Sequence, residues 1–373
     1  MPEIDTWLKK AVDFGASDLH IVACSPPLVR LHGVLRWFKT GPMAPEVTQR
    51  LLFEIFTREQ LAKFQQLKEI DFCYEREGLG RFRVNVFQQR KGFDGAFRVI
   101  PTQVKTLDDL GFPKVAKQLL TFRQGLILVT GPAGSGKTTT LGAMLDYVNE
   151  QRKDHIITVE DPIEIIHPSK NCHVNQREVG QHTNTFANAL RAALREDPDI
   201  IMVGEMRDLE TISMAITSAE TGHLVLATLH TSSAPRTISR LLDVFPPNQQ
   251  PQIRAMVSES LRGIVCQQLI PRTDGKGRVL GLEILVVTPA ISNLIRENQT
   301  FKLVSQMQIG THLGMQLMDD HLMSLMKTGF ISPQEAYERS TDKKRFAPEV
   351  QRAATASPED GGAAPPGSGK KPA

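Results

Sequence analysis

Residues 126–148 read LILVTGPAGSGKTTTLGAMLDYV, and this stretch decides the fold. Leu126–Thr130 is a short apolar run of strand formers, and Thr139–Val148 carries helical spacing. Between them, Gly131-Pro132-Ala133-Gly134-Ser135-Gly136-Lys137-Thr138 satisfies GxxxxGK[ST] at every defined position. Glycines let such a loop wrap a phosphate with its N–H groups aimed inward, and the helix that follows adds positive potential. Lys137 is then expected to reach the β and γ phosphates of a nucleotide, and Thr138 to hold Mg²⁺, with Thr139 completing the cradle.

Working outward, His155–Val159, Ile200–Val203 and Leu224–Leu229 are further apolar runs separated by helical stretches, the pattern of an α/β fold with a mostly parallel sheet. Two of these runs end on acids that would face the phosphate loop: Glu160-Asp161, with Glu164 just beyond, and Gly204-Glu205. Glycine stands at 204 where an aspartate would ordinarily hold Mg²⁺, which leaves Glu205 to polarise the attacking water. Glu160 and Glu164 either compensate electrostatically or cap strand ends. His223 and His230 bracket the last run at an odd offset, roughly 23 Å apart along a regular strand, so one zinc ion cannot take both. His230, at the phosphate end, is the candidate γ-phosphate sensor, while His223 is equally compatible with a structural hydrogen bond.

The residues before this region read as a small α+β domain, with a helix over Trp7–Phe14 and strands at Asp18–Ala23, Leu28–His32, Asp71–Arg76, Arg81–Gln88 and Asp94–Ile100. In Arg81–Gln88 the apolar Phe82, Val84 and Val86 alternate with Arg81, Arg83 and Asn85. The two arginines are either phosphate ligands presented across a domain or subunit boundary or cross-strand ion-pair partners. Arg191 and Arg195, four apart on a helix, are either phosphate sensors or a solvated face. The expected boundaries are 1–100 for the first domain, 101–113 for a proline-flanked linker, 114–345 for the nucleotide domain and its C-terminal helices, and 346–373 for a disordered tail. In that tail 18 of 28 residues are Ala, Pro, Gly or Ser. Beyond Gly281 the chain is expected to turn helical, with a last helix opening at Ser332-Pro333.

The chain's 44 Lys and Arg against 41 Asp and Glu give a formal charge of +3, too small to announce a nucleic-acid partner. Its four cysteines lie at least 49 positions apart, so no CxxC metal or redox pair exists. Neither an export signal nor a membrane span is expected from the apolar pattern.

The segments GASDLH (15–20), GRFRVN (80–85), GPAGSGKTTT, TVEDPIE (158–164), LREDPDIIMVGEMRDLET (194–211) and AETGHLVLATLHT (219–231) together resemble the retraction ATPases of type IV pili, within the secretion ATPase superfamily. The likeness runs from about residue 3 to 340. It implies a PAS-like N-terminal domain joined to a RecA-like ATPase domain, assembled as a homohexameric ring with Mg-ATP between subunits. It also implies Glu205 as catalytic base, Glu160 and Glu164 in an Asp box, His230 in a His box, and Arg81 and Arg83 on the bound phosphates. The implied partner is an inner-membrane pilus platform protein, with room for a retraction paralogue beside it. That places the chain in the cytoplasm at the inner face of the inner membrane, with peripheral association only and no nucleic acid. Only Cys266 follows His230, so the tetracysteine element common in pilus-assembly and type II secretion ATPases has no counterpart, which favours the retraction branch over those relatives. Ser292 in AISNLIRE (290–297) replaces the arginine of the family's pattern. From other classes, a RecA-like nucleic-acid translocase and a non-hydrolysing nucleotide-binding regulator remain alternatives.

Overall fold

A computed structural model describes residues 2–31, 33–100 and 104–356. The N-terminal module runs α1 (Ile4–Asp13), β1 (Asp18–Ile21), β2 (Leu28–Leu31), β3 (Val34–Trp37), α2 (Pro45–Phe53), α3 (Arg58–Leu67), β4 (Glu69–Arg76), β5 (Gly80–Gln89) and β6 (Gly92–Ile100). Its six strands form one sheet in the order β3-β2-β1-β6-β5-β4, paired antiparallel. The alternation along β5 does what the sequence predicts: Phe82, Val84 and Val86 are fully buried while Arg81 and Arg83 lie on the other face, only partly covered in the case of Arg83 and nearly buried in that of Arg81. Phe64, Phe82 and Phe97, all buried, each contribute roughly 2–3 kcal/mol to the core over which the helices pack. Helix α3 starts on a reciprocal cap, Thr57 Oγ1 accepting from Gln60 N and Gln60 Oε1 accepting from Thr57 N.

The remaining elements are α4 (Lys114–Leu119), β7 (Gly125–Thr130), α5 (Lys137–Gln151), β8 (His155–Glu160), β9 (His173–Glu178), α6 (Phe186–Ala193), β10 (Ile200–Val203), α7 (Leu209–Glu220), β11 (Leu224–Leu229), α8 (Ala234–Asp243), α9 (Gln250–Ser260), β12 (Leu261–Pro271), β13 (Arg278–Val286), α10 (Pro289–Arg296), α11 (Leu303–Ile309), α12 (Met318–Lys327), α13 (Pro333–Arg339) and α14 (Lys343–Ala356). Strands follow the order β13-β12-β7-β11-β10-β8-β9. The run β11-β10-β8-β9 is parallel, and β12-β13 is an antiparallel hairpin. Strands β7, β8, β10 and β11 are buried along essentially their whole lengths, as sheets covered on both faces require. The fold is therefore the expected α/β class, a largely parallel sheet preceded by a small α+β module.

By internal contacts the chain divides into two compact units, with breaks between Ile127 and Leu128, Gly136 and Lys137, and Thr228 and Leu229. The first unit holds the N-terminal sheet, α5 and the strands β8 to β10. The second holds Leu128–Gly136, the end of β7 with most of the loop, and the described residues from Leu229 onward, so that β7 and β11 pass from one unit into the other.

Some expectations need correction. The chain does not turn helical at Gly281, because β13 continues to Val286; its buried Leu282, Ile284 and Leu285 leave no polar face for a helix to show. Ser332 caps α13 as read, its Oγ accepting from Glu335 N at 3.1 Å, yet α13 is not the last helix. Helix α14 occupies Lys343–Ala356, so the first part of the expected tail is ordered around Phe346, which is wholly buried against α12 and α13 residues. Residues 357–373, and 101–103 of the expected linker, lie outside the described residues.

Candidate nucleotide site

The phosphate loop leaves the end of β7 and enters α5 at Lys137. Gly131 has φ +149°, and a Cβ on it would stand 2.3 Å from the Gln267 carbonyl oxygen and 2.6 Å from Ser135 Oγ, so only glycine fits. Gly134 and Gly136 are also in the positive-φ region, at +73° and +88°. The Gly131 N–H donates to the Leu229 carbonyl at 3.3 Å, which brings the end of β11 and the exposed His230 after it beside the start of the loop. Lys137 is nearly buried; desolvation lowers its pKa, and the Glu205 carboxylate opposes that fall.

A cavity of about 240 Å³ opens beside the first turns of α5. Its lining includes Thr138, Leu141 and Gly142 of α5, Glu160, Asp161, Glu164 and His167 at and beyond the end of β8, Glu205 and Arg207 after β10, and Arg83 of β5. Parallel pairing sets this convergence, since β8 and β10 are in register from Ile156 opposite Ile200 to Val159 opposite Val203, so their acids emerge at the same edge.

Gly204 explains why the acid arrangement is atypical. A Cβ there would lie 3.2 Å from the Val159 carbonyl oxygen and 3.4 Å from Glu160 Cα, so a side chain at 204 would press on the backbone of β8. Glu160 is 4% exposed, and its Oε1 accepts from Thr158 Oγ1 at 2.6 Å and from Gln176 Nε2 at 3.0 Å. Burial pushes its carboxyl up to about 7, the nearby Glu164 charge adding to the rise and the two hydrogen bonds opposing it. Glu205 Oε2 accepts from Arg207 Nη2 at 2.7 Å. His167 is buried and neutral at ordinary pH, its pKa lowered to about 4 by desolvation.

The expected residues do not all converge. Arg83 lines the cavity of its own chain, so no neighbouring subunit is needed to bring it near Glu205. Arg81 instead pairs with Glu178 at 3.3 Å, both side chains nearly buried, and Glu178 also accepts from Ile163 N at 3.0 Å. Arg191 is exposed, bonded to Asn188 at 3.1 Å and ion-paired with Glu210; Arg195 is exposed; neither lines the cavity. His223 Nδ1 meets the Ser218 carbonyl at 3.0 Å, the structural alternative.

Sequence reasoning passed over Thr158, His167, Gln176 and Arg207. Thr158 was findable, because residues two apart on a strand share a face. Gln176 was not, since β9 carries no apolar pattern and sits at the sheet edge.

A GxxxxGK[ST] loop between a strand and a helix of a mostly parallel sheet, with carboxylates from neighbouring strands lining a cavity beside that helix, defines the P-loop nucleotide-binding proteins. Within that class the chain belongs to the family of type II/IV secretion system proteins, which it matches over residues 2–279. It is 49% identical over 332 residues to the type IV pilus retraction ATPase PilT of Pseudomonas aeruginosa, covering 89% of this chain and 96% of that one. It is 46% identical to a twitching motility protein of Neisseria gonorrhoeae, over 89% of this chain and 88% of the other. A crystal structure of the pilus retraction motor PilT with bound ADP superposes with a TM-score of 0.87 at 47% identity, covering 92% of this chain and 98% of that one.

Proposed function

We propose that this chain is an ATP-hydrolysing motor of type IV pilus retraction, working as a homohexameric ring at the inner face of the inner membrane against a platform protein. The chemical part rests on one observation: Thr138, Glu160, Glu164, Glu205 and Arg83 line a single cavity at the start of α5. The retraction part rests on similarity to retraction ATPases across nearly their full lengths. No helix among the described residues is long and apolar enough to cross a membrane, so the proposed membrane association runs through the partner.

In this reading ATP lies along Gly131–Thr139, with Lys137 on the β and γ phosphates and His230 near the γ-phosphate. Glu205 orients the attacking water and takes its proton, and Arg83 offsets charge on the transferring phosphoryl group. The Thr138 hydroxyl and the carboxylates of Glu160 and Glu164, all in the cavity lining, would offer the oxygen ligands that Mg²⁺ takes, and the ion would offset phosphate charge. Arg81 has a different task, holding β5 to Glu178 and through it the backbone at Ile163.

ATPase activity measured with and without single-stranded DNA tests the reading. The motor hydrolyses ATP with no stimulation by DNA. A translocase would be stimulated and strongly salt-dependent, and a nucleotide-binding regulator would bind without turnover.

A further inference from the structure

The buried amide of Gln267 has no part in the chemistry above. It lies on β12, 1% exposed, within the same unit as Gly131–Gly136, and its Nε2 donates to the Ser135 carbonyl at 2.7 Å. The same residue touches the loop at both ends. Its own carbonyl oxygen occupies the space a Cβ on Gly131 would need, and its Nε2 lies 3.4 Å from where a Cβ on Gly136 would be. Gln267 Oε1 and Ser135 Oγ, both buried, have no hydrogen-bond partner among the described residues. A buried amide with only one of its two ends satisfied is costly to keep, so the bond it does make carries its value.

We infer that Gln267 is a positioning residue for the phosphate cradle: by holding the Ser135 carbonyl on β12, it keeps that oxygen from turning toward the anion. A carbonyl facing a phosphate oxygen repels it, whereas N–H groups attract it, so the loop binds a nucleoside polyphosphate only while its carbonyls are held outward. The inference rests on reading Gly131–Thr138 as a nucleotide site and adds to it a residue 132 positions away in sequence.

ADP binding by the full chain tests this, using Gln267→Leu, which removes the donor at similar volume, and Gln267→Glu. Loss of one buried hydrogen bond should weaken ADP binding by about tenfold in the leucine variant. The glutamate variant should be as weak at about pH 8 but recover at about pH 6, because burial raises its carboxyl pKa and the protonated O–H can donate to Ser135. Wild type and the leucine variant, measured at both pH values, remove the contribution of every other titrating group. Melting temperatures without nucleotide report folding separately, and should the leucine variant not fold, the pH recovery of the glutamate variant decides alone. Wild-type affinity in Gln267→Leu, or no recovery of Gln267→Glu at low pH, overturns the inference. Failure of the wild type to bind ADP would instead overturn the nucleotide reading on which it rests.

Discussion

Glu160 and Glu205 emerge at the same sheet edge, but their environments separate their work. Glu160 is buried with a carboxyl pushed up to about 7, well above its value in an unfolded chain, so the folded protein holds an extra proton between roughly pH 4.5 and 7. Stability from this group is therefore present at low pH and is lost as pH rises through that window. Replacing it by glutamine should flatten that slope and raise stability at pH 8 by roughly 1–3 kcal/mol, as read by denaturant unfolding at several pH values. Glu205, beside Arg207 at the cavity wall, is the proposed base. Glu205→Gln should keep ADP binding and lose at least ~10²-fold in hydrolysis, whereas Lys137→Ala should weaken binding itself. Turnover near the wild-type rate in the glutamine variant would move the base to Glu160. The phosphate loop and the acids could be read directly, since motif and strand register fix them. The hydrogen bonds that tune Glu160 could not, because they depend on Gln176, a polar residue on an edge strand with no pattern to announce it.

At the scale of elements, what the sequence revealed tracks hydrophobic period. Strands β8, β10 and β11 fall within a residue of their expected limits because each is a short, fully buried run. Strand β3 escaped notice since all four of its residues are exposed, and β9 for want of any periodicity. Helix α14 was hidden by the small residues after it, which mask the anchoring role of a single aromatic. Phe346→Ala should accordingly cost about 3–4 kcal/mol and lower the melting temperature by several degrees, and truncation after residue 345 should do at least as much. Ser292 turns its hydroxyl to the Ser258 carbonyl and so ties α10 to α9, and Arg296 at the end of α10 lies 3.4 Å from Glu259 of α9.

At the scale of the molecule, Arg83 stands on the N-terminal sheet and lines the same cavity as Thr138 and Glu205. Because it lines its own chain's cavity, it should act on its own subunit's nucleotide, and Arg83→Ala should slow hydrolysis by ~10²-fold or more while leaving Lys137-dependent binding intact. Mixing Arg83→Ala with Glu205→Gln should then give no activity above the sum of the two, even in mixed rings; recovery would show that the arginine is donated by a neighbour. Arg81, paired with Glu178, should affect stability and domain coupling before it affects turnover. Hydrolysis at Glu205 is proposed to power the return of pilins to the membrane, and a host strain carrying only the Glu205→Gln form, scored for surface pili and twitching motility, puts this to the test. Dense pili without twitching are predicted. Bald cells, or cells that twitch normally, would contradict the account.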